Sequence, residues 1–172
     1  MKEKAGNALH GLHEFARIKN DKGRPGMSDL LYKEESFKII GFCMEAHREL
    51  GKGQDEVIYK DALEIECRRC SVPCTRERKY EVHYKGVVLP HFYFADFVVF
   101  DKILFEAEAC ERLTEAHVKR VLNYLAVSGL KLGLLVNFGE DSLAWKRLIR
   151  SGCESGAVHQ PAVHPLESVK FA

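Results

Sequence analysis

KLGLLVNF, residues 131–138, is the stretch that most constrains the fold. It is nearly all apolar, and it is long enough for a strand. A strand with one wet face alternates apolar and polar positions; one that does not alternate is covered on both faces. Such a strand needs helices above and below its sheet, so the chain is expected to be α/β. The segment just before it supplies one such helix. Thr114 can cap a helix from Glu115 to about Ser128, with Val118, Val121, Leu122 and Leu125 as its apolar stripe and Gly129 as its stop.

The same reading extends along the chain. Phe37, Ile40, Met44 and His47 recur at helical spacing after Ser28, a good N-cap, and Gly51 and Gly53 end that helix. A second helix is expected from about Asp55 to Cys70, with Ile58, Ala62, Leu63 and Ile65 toward the core, until Val72-Pro73. The period then changes to two. KYEVHY (79–84), VVLPHFYFADFVVF (87–100) and ILFEAEAC (103–110) read as strands joined by turns at Lys85-Gly86 and Asp101-Lys102. LAWKRLI (143–149) reads as a last edge strand. The order is α-α-β-β-β-α-β, closed by that edge strand, in a mixed sheet flanked by helices.

At 172 residues the chain fits one domain with tails. Residues 1–27 read as a loose N-terminal extension, with Leu9, Leu12, Phe15 and Ile18 marking a short amphipathic helix within it. Residues 28–150 are the folded domain, and the Gly-, Ser-, Pro- and His-containing segment 151–172 is a tail. No apolar run is long enough for a membrane span, and MKEKAGNALHGLHEF has no signal-type hydrophobic region, so a cytoplasmic protein is expected. The six cysteines are then mostly free thiols. Cys67, Cys70 and Cys74 are spaced as zinc or iron–sulfur ligands could be, but a closed site needs four ligands and no partner pair is evident. Core packing accounts for Cys67 and Cys70 one helical turn apart. The formal charge of +1 does not itself point to nucleic acid; setting aside four candidate site acids takes +1 to +5, which is mildly basic.

Those acids are Asp96, Glu106, Glu108 and Glu56. With a three-residue loop (Phe100, Asp101, Lys102), Val99 pairs with Ile103 and Asp96 lies opposite Glu106, their Cβ atoms about 5 Å apart. Two facing carboxylates repel unless they are solvated, protonated or bridged by a cation. A two-residue loop would put them on opposite faces. Glu108 shares the face of Glu106 by alternation. Glu56, in the first turn of a helix, is also where an acid meets the helix dipole. A merely solvated acidic strand face is the plain alternative.

GQDEVIY (53–59) fits Gly-x-x-Glu-x-x-Tyr, and HRELGKG (47–53), YKGVVLPHFYFADFVV (84–99), ERLTEAHVKRVLNYL (111–125) and SGLKLGLLVNFG (128–139) continue the similarity in order. The chain resembles the GxxExxY protein family, which looks like a branch of the PD-(D/E)XK nuclease superfamily, over roughly residues 28–150. The resemblance implies a restriction-endonuclease-like fold and hydrolysis of nucleic-acid phosphodiester bonds. It implies Asp96 and Glu106 as principal ligands of Mg²⁺ or Mn²⁺, Glu56 as an additional ligand, and help from the Ala107 carbonyl; hard oxygen donors suit these ions. DNA or RNA would be the substrate.

Two departures stand out. Where the superfamily usually has lysine, this chain has Glu108, which can accept a proton from a water but supplies no positive charge. The four positions then sum to −4 rather than −2, and each added close pair costs on the order of 1–4 kcal/mol. The second departure is Arg120, where related members have glutamine. His117, Arg120 and Tyr124 fall on one side of their helix. Arg120 is expected to face the acids, pairing with Glu108 or the scissile phosphate. His47 and His117 are expected to be structural or supporting, and Tyr59 and Tyr124 to be packing residues with one hydroxyl bond. The rival function is a non-catalytic nucleic-acid- or protein-binding module of the same fold; a cysteine-bound metal protein ranks third. Oligomeric state is not legible.

Overall fold

A computed structural model describes residues 30–150. Three helices and five strands occur among them: α1 (Lys33–Leu50), α2 (Glu56–Arg69), β1 (Cys74–Tyr84), β2 (Val87–Val99), β3 (Ile103–Glu108), α3 (Glu115–Ser128), β4 (Leu132–Asn137) and β5 (Ala144–Ile149). They form one mixed sheet in the order β1-β2-β3-β4-β5, with only β3 and β4 parallel. The expected helix over Leu9–Ile18, the Ser28 cap and the two tails lie outside the described residues. No helix among the described residues is long and apolar enough to cross a membrane.

The sheet centre is dry. Every residue of β3 and β4 is buried, so both faces are covered, as the unalternating KLGLLVNF required. On one face Val121 and Leu125 of α3 pack over Leu104 and Leu135. Each such side chain contributes about 1.5–3 kcal/mol by leaving water. The helix can come this close because Gly133 has no side chain: a Cβ there would lie 2.6 Å from Val121 Cγ1. On the other face α2 packs against β1 and β3, and α1 reaches β5. Arg147, paired across from Leu134, donates from Nη1 to Ser36 Oγ of α1 at 2.5 Å. Thr114 and Gly129 bound α3 as expected, and Gly129 takes a left-handed φ of 74°.

Several local expectations are corrected. The buried stripe of α1 is Ile39, Ile40, Phe42, Cys43 and Ala46, while Phe37, Met44 and His47 are half-buried. In α2 the buried positions are Tyr59, Leu63 and Cys67; Ile58 and Ile65 face outward. Tyr59 takes the inward place because its ring stacks on Phe138, centroids 4.5 Å apart. Leu122 of α3 is also exposed. β1 starts at Cys74 rather than Lys79. Its charged run TRERK hides the strand, since the Arg76 and Arg78 guanidinium groups lie over the rings of Phe97 and Tyr80. Cys70 falls outside the helix, as its C-cap, and is exposed while Cys67 is buried.

Candidate acidic site

The β2–β3 turn decides the site's geometry. It has three residues, Phe100 and Asp101 both adopt φ of 56°, and Val99 pairs with Ile103. That register brings Asp96 level with Glu106. The backbone ladder, however, ends one step earlier, at Phe97 and Phe105. Side chains continue it. The Asp96 N–H donates to Glu106 Oε1 at 3.0 Å, and the Ala107 N–H donates to Asp96 Oδ2 at 2.9 Å. Each carboxylate thus satisfies an amide that the parting strands would have left unpaired. The two acids are fixed by backbone groups rather than by floppy contacts.

Helices reach this split from both sides. Lys60 of α2 donates to Glu56 Oε1 at 2.9 Å and to Asp96 Oδ1 at 3.0 Å. Arg120 of α3 pairs with Glu108 and lies 3.9 Å from Glu106 Oε2. The contact with Glu108 Oε1 is an ion pair without hydrogen-bond geometry. Glu56, Asp96, Glu106 and Glu108 therefore face two cations, leaving a formal charge of −2 across the six groups when all are ionised. Glu56 is the most exposed of the four acids and reaches Asp96 only through the Lys60 ammonium.

Glu106 carries the main electrostatic strain. Burial, and then the neighbouring Asp96 carboxylate, push its carboxyl up to about 8 from an ordinary 4.5; the Asp96 N–H, Arg120 and Lys60 only partly oppose this. At neutral pH the side chain holds a proton. Lys60 behaves in the other direction. Its burial disfavours the charge, but the bonds from Glu56 and Asp96 outweigh that and raise its pKa above the usual lysine value. Tyr124 is raised by burial and by Glu106, and its ring tilts against Tyr93 at 5.1 Å.

The remaining candidates sit further out. Tyr59 donates its hydroxyl to the Gly51 carbonyl at 2.6 Å and accepts from the Gln54 N–H at 3.3 Å, fastening the loop that launches α2 and so fixing where Glu56 begins. His47 Nε2 lies 3.1 Å from the Glu140 carbonyl. His117 caps its own helix, accepting the Thr114 N–H at Nδ1 at 3.1 Å. Glu108, Cys110 and His117 bring ligand-type atoms within 4.8 Å of one another. In this arrangement His117 Nδ1 is engaged by the Thr114 N–H and Glu108 pairs with Arg120.

Two residues escaped the sequence reading. Lys60 reads as a solvated partner of Glu56 four residues before it, and that spacing was the available signal. Asn137 hides inside an apolar run. It is fully buried, accepts the Cys110 and Gly139 N–H groups at 3.0 and 3.1 Å, and donates to the Cys110 carbonyl and Glu140 Oε1 at 2.8 and 2.9 Å. It ties the segment after Glu108 to the end of β4.

The four carboxylates offer hard oxygen donors in excess of the positive charge around them, and the most buried of them is held protonated; such a set fits a divalent cation of the Mg²⁺ or Mn²⁺ type.

No curated protein matches the chain. A crystal structure of a protein designated SSO0001 is 17% identical, over 83% of this chain and 75% of that one, with a TM-score of 0.44. The PD-(D/E)XK nuclease superfamily matches residues 33–148, about two thirds of the chain and all but the first few and last few of the described residues. With its five-stranded mixed sheet and three flanking helices, this chain belongs to the PD-(D/E)XK nuclease superfamily.

Proposed function

We propose that the domain hydrolyses nucleic-acid phosphodiester bonds with the help of Mg²⁺ or Mn²⁺, using Glu-x-Glu where Glu-x-Lys is usual, and that it falls in the GxxExxY branch of the superfamily. The observation that carries the reading is the reciprocal capping of Asp96 and Glu106, which holds two carboxylates at the point where β2 leaves β3. Asp96 and Glu106, with the Ala107 carbonyl next in the chain and Glu56 linked to Asp96 through Lys60, would hold the ion. Bound there, it supplies positive charge for a phosphate and lowers the pKa of a coordinated water.

The chain's own groups take the other roles. Glu108 is the candidate base that accepts the proton of the attacking water. Arg120, beside Glu108 and partly exposed, offers the guanidinium that a phosphate oxygen can engage. Lys60 holds Asp96 in place and lowers the repulsion among the acids. Together the two cations stand in for the charge that the missing strand lysine would bring.

One feature favours a second reading. Arg120 and Lys60 already pair with Glu108, Glu56 and Asp96 internally, as in a domain that keeps the fold for binding without turnover. Cleavage of single-stranded DNA, duplex DNA and RNA, measured with Mg²⁺, Mn²⁺ or chelator beside Glu106→Gln, separates the two. Metal-dependent cleavage lost in the variant supports the nuclease. Binding without cleavage, unchanged by the variant, supports the module.

A further inference from the structure

The hairpin of β1 and β2 projects past the rest of the sheet. β2 has thirteen residues, but β3 pairs only with Phe97, Val98 and Val99. From Asp96 back to Val87, β2 has β1 as its only strand partner among the described residues. One face of this arm leans on the body through Tyr93 and Tyr80, which pack on the α3-side core. The other face carries Phe92 and Phe94, 41% and 55% exposed. Lys79 pairs directly across from Phe94, and its Nζ sits 3.4 Å from the centre of the Phe92 ring. Near the tip Lys85 lies over Tyr84 at 5.4 Å.

Neither lysine has a carboxylate partner among the described residues; each meets only a ring. Glu81 shares the Lys79 face and lies 3.8 Å from His83. Two exposed rings with the Lys79 ammonium group against one of them suit a ligand that is both flat and anionic. Unpaired bases stack on such rings, and the backbone phosphates meet the cations. A duplex keeps its base faces stacked inward and offers them nothing.

We infer that the Phe92–Phe94 face of the β1–β2 arm is a stacking platform for single-stranded nucleic acid. The inference rests on the nucleic-acid reading of the acidic site. Asp96 lies two residues, about 7 Å, beyond Phe94 on the same strand, so a strand held by the arm is delivered to the acids.

The test is fluorescence anisotropy of a fluorescein-labelled oligothymidylate, and of its duplex with oligoadenylate, in chelator so that nothing is cut. The wild-type protein should prefer the single strand. Phe92→Ala and Phe94→Ala should each weaken that binding by roughly 5- to 150-fold, and Lys79→Ala should weaken it with a smaller salt dependence remaining. Phe94→Trp should retain it. These side chains are exposed, so urea midpoints should stay put. Wild-type binding that the alanine variants leave unchanged, or equal affinity for the duplex, overturns the platform while leaving the nuclease reading intact. Binding of neither probe, with no cleavage in metal, overturns both. A dimer in light scattering that Phe94→Ala dissociates overturns the platform in favour of an interface between copies.

Discussion

Glu106→Gln should make the metal-free protein more stable at alkaline pH while removing one of the two carboxylates proposed to hold the metal. The folded state holds Glu106 protonated up to about pH 8, whereas the unfolded chain releases that proton near 4.5. Between those values the folded state binds more protons, so stability must fall as pH rises. Each unit between 4.5 and about 8 is worth about 1.36 kcal/mol, which sets a ceiling of about 5 kcal/mol. Of this, about 4 kcal/mol should be lost between roughly pH 5 and roughly pH 9. Glutamine has no charge to bury, and its amide oxygen can still accept the Asp96 N–H. The assay is urea unfolding of both proteins in chelator across that pH range. The curves should nearly coincide at the acidic end and diverge upward in pH, with the variant the more stable. Half the ceiling, about 2 kcal/mol, already moves the melting temperature by roughly 8 °C in a domain of this size. Parallel curves would refute the reasoning: Lys60 and Arg120 would then offset the burial of a charged Glu106.

Three further outcomes follow from the same geometry. Lys60→Met, which removes the ammonium between Glu56 and Asp96, should lower metal-free stability by about 1–3 kcal/mol, and Mn²⁺ should raise the variant's melting temperature more than the wild type's; an equal rise would show that Lys60 does not relieve the acids. Asn137→Ala leaves the half-buried Cys110 amide and carbonyl without their partner, and urea unfolding should report a loss of about 3 kcal/mol; a loss under about 1 kcal/mol would mean that water replaces the side chain. Gly133→Ala should cost about 1–3 kcal/mol by crowding Val121, and Val121→Ala in the same chain should recover part of it; additive losses would refute the steric account.

What the sequence disclosed and what it hid divide along physical lines. Periodicity and caps were legible where one force dominates. The unbroken apolar run of β4 and the Thr114 and Gly129 ends of α3 are set by burial and by local backbone chemistry, and both stand where expected. The acids at 96 and 106 were legible as a facing pair because strand register is arithmetic. Their actual contact was not, because the ladder ends at Phe97 and the side chains bond backbone amides instead. Helix stripes failed where a specific partner overrode hydropathy: Tyr59 goes inward to stack on Phe138, and Ile58 and Ile65 are turned out. Lys60 was hidden because a glutamate–lysine pair four apart is usually only a surface pair, and nothing local says that a strand acid waits across from it. Asn137 was hidden because its five bonds, counting the weak one from the Cys110 thiol, all go to residues from Cys110 onward in other segments or in the turn after β4.

The most direct measurement is calorimetric titration of Mn²⁺ into the protein near pH 7 in two buffers of different ionisation enthalpy, which counts protons released on binding. A cation held by Asp96 and Glu106 must displace the Glu106 proton, so about one proton should leave per ion, and Glu106→Gln should abolish both the binding and the release. Absence of binding, or binding with no proton released and unaffected by the variant, would contradict the assignment of these carboxylates as the metal site.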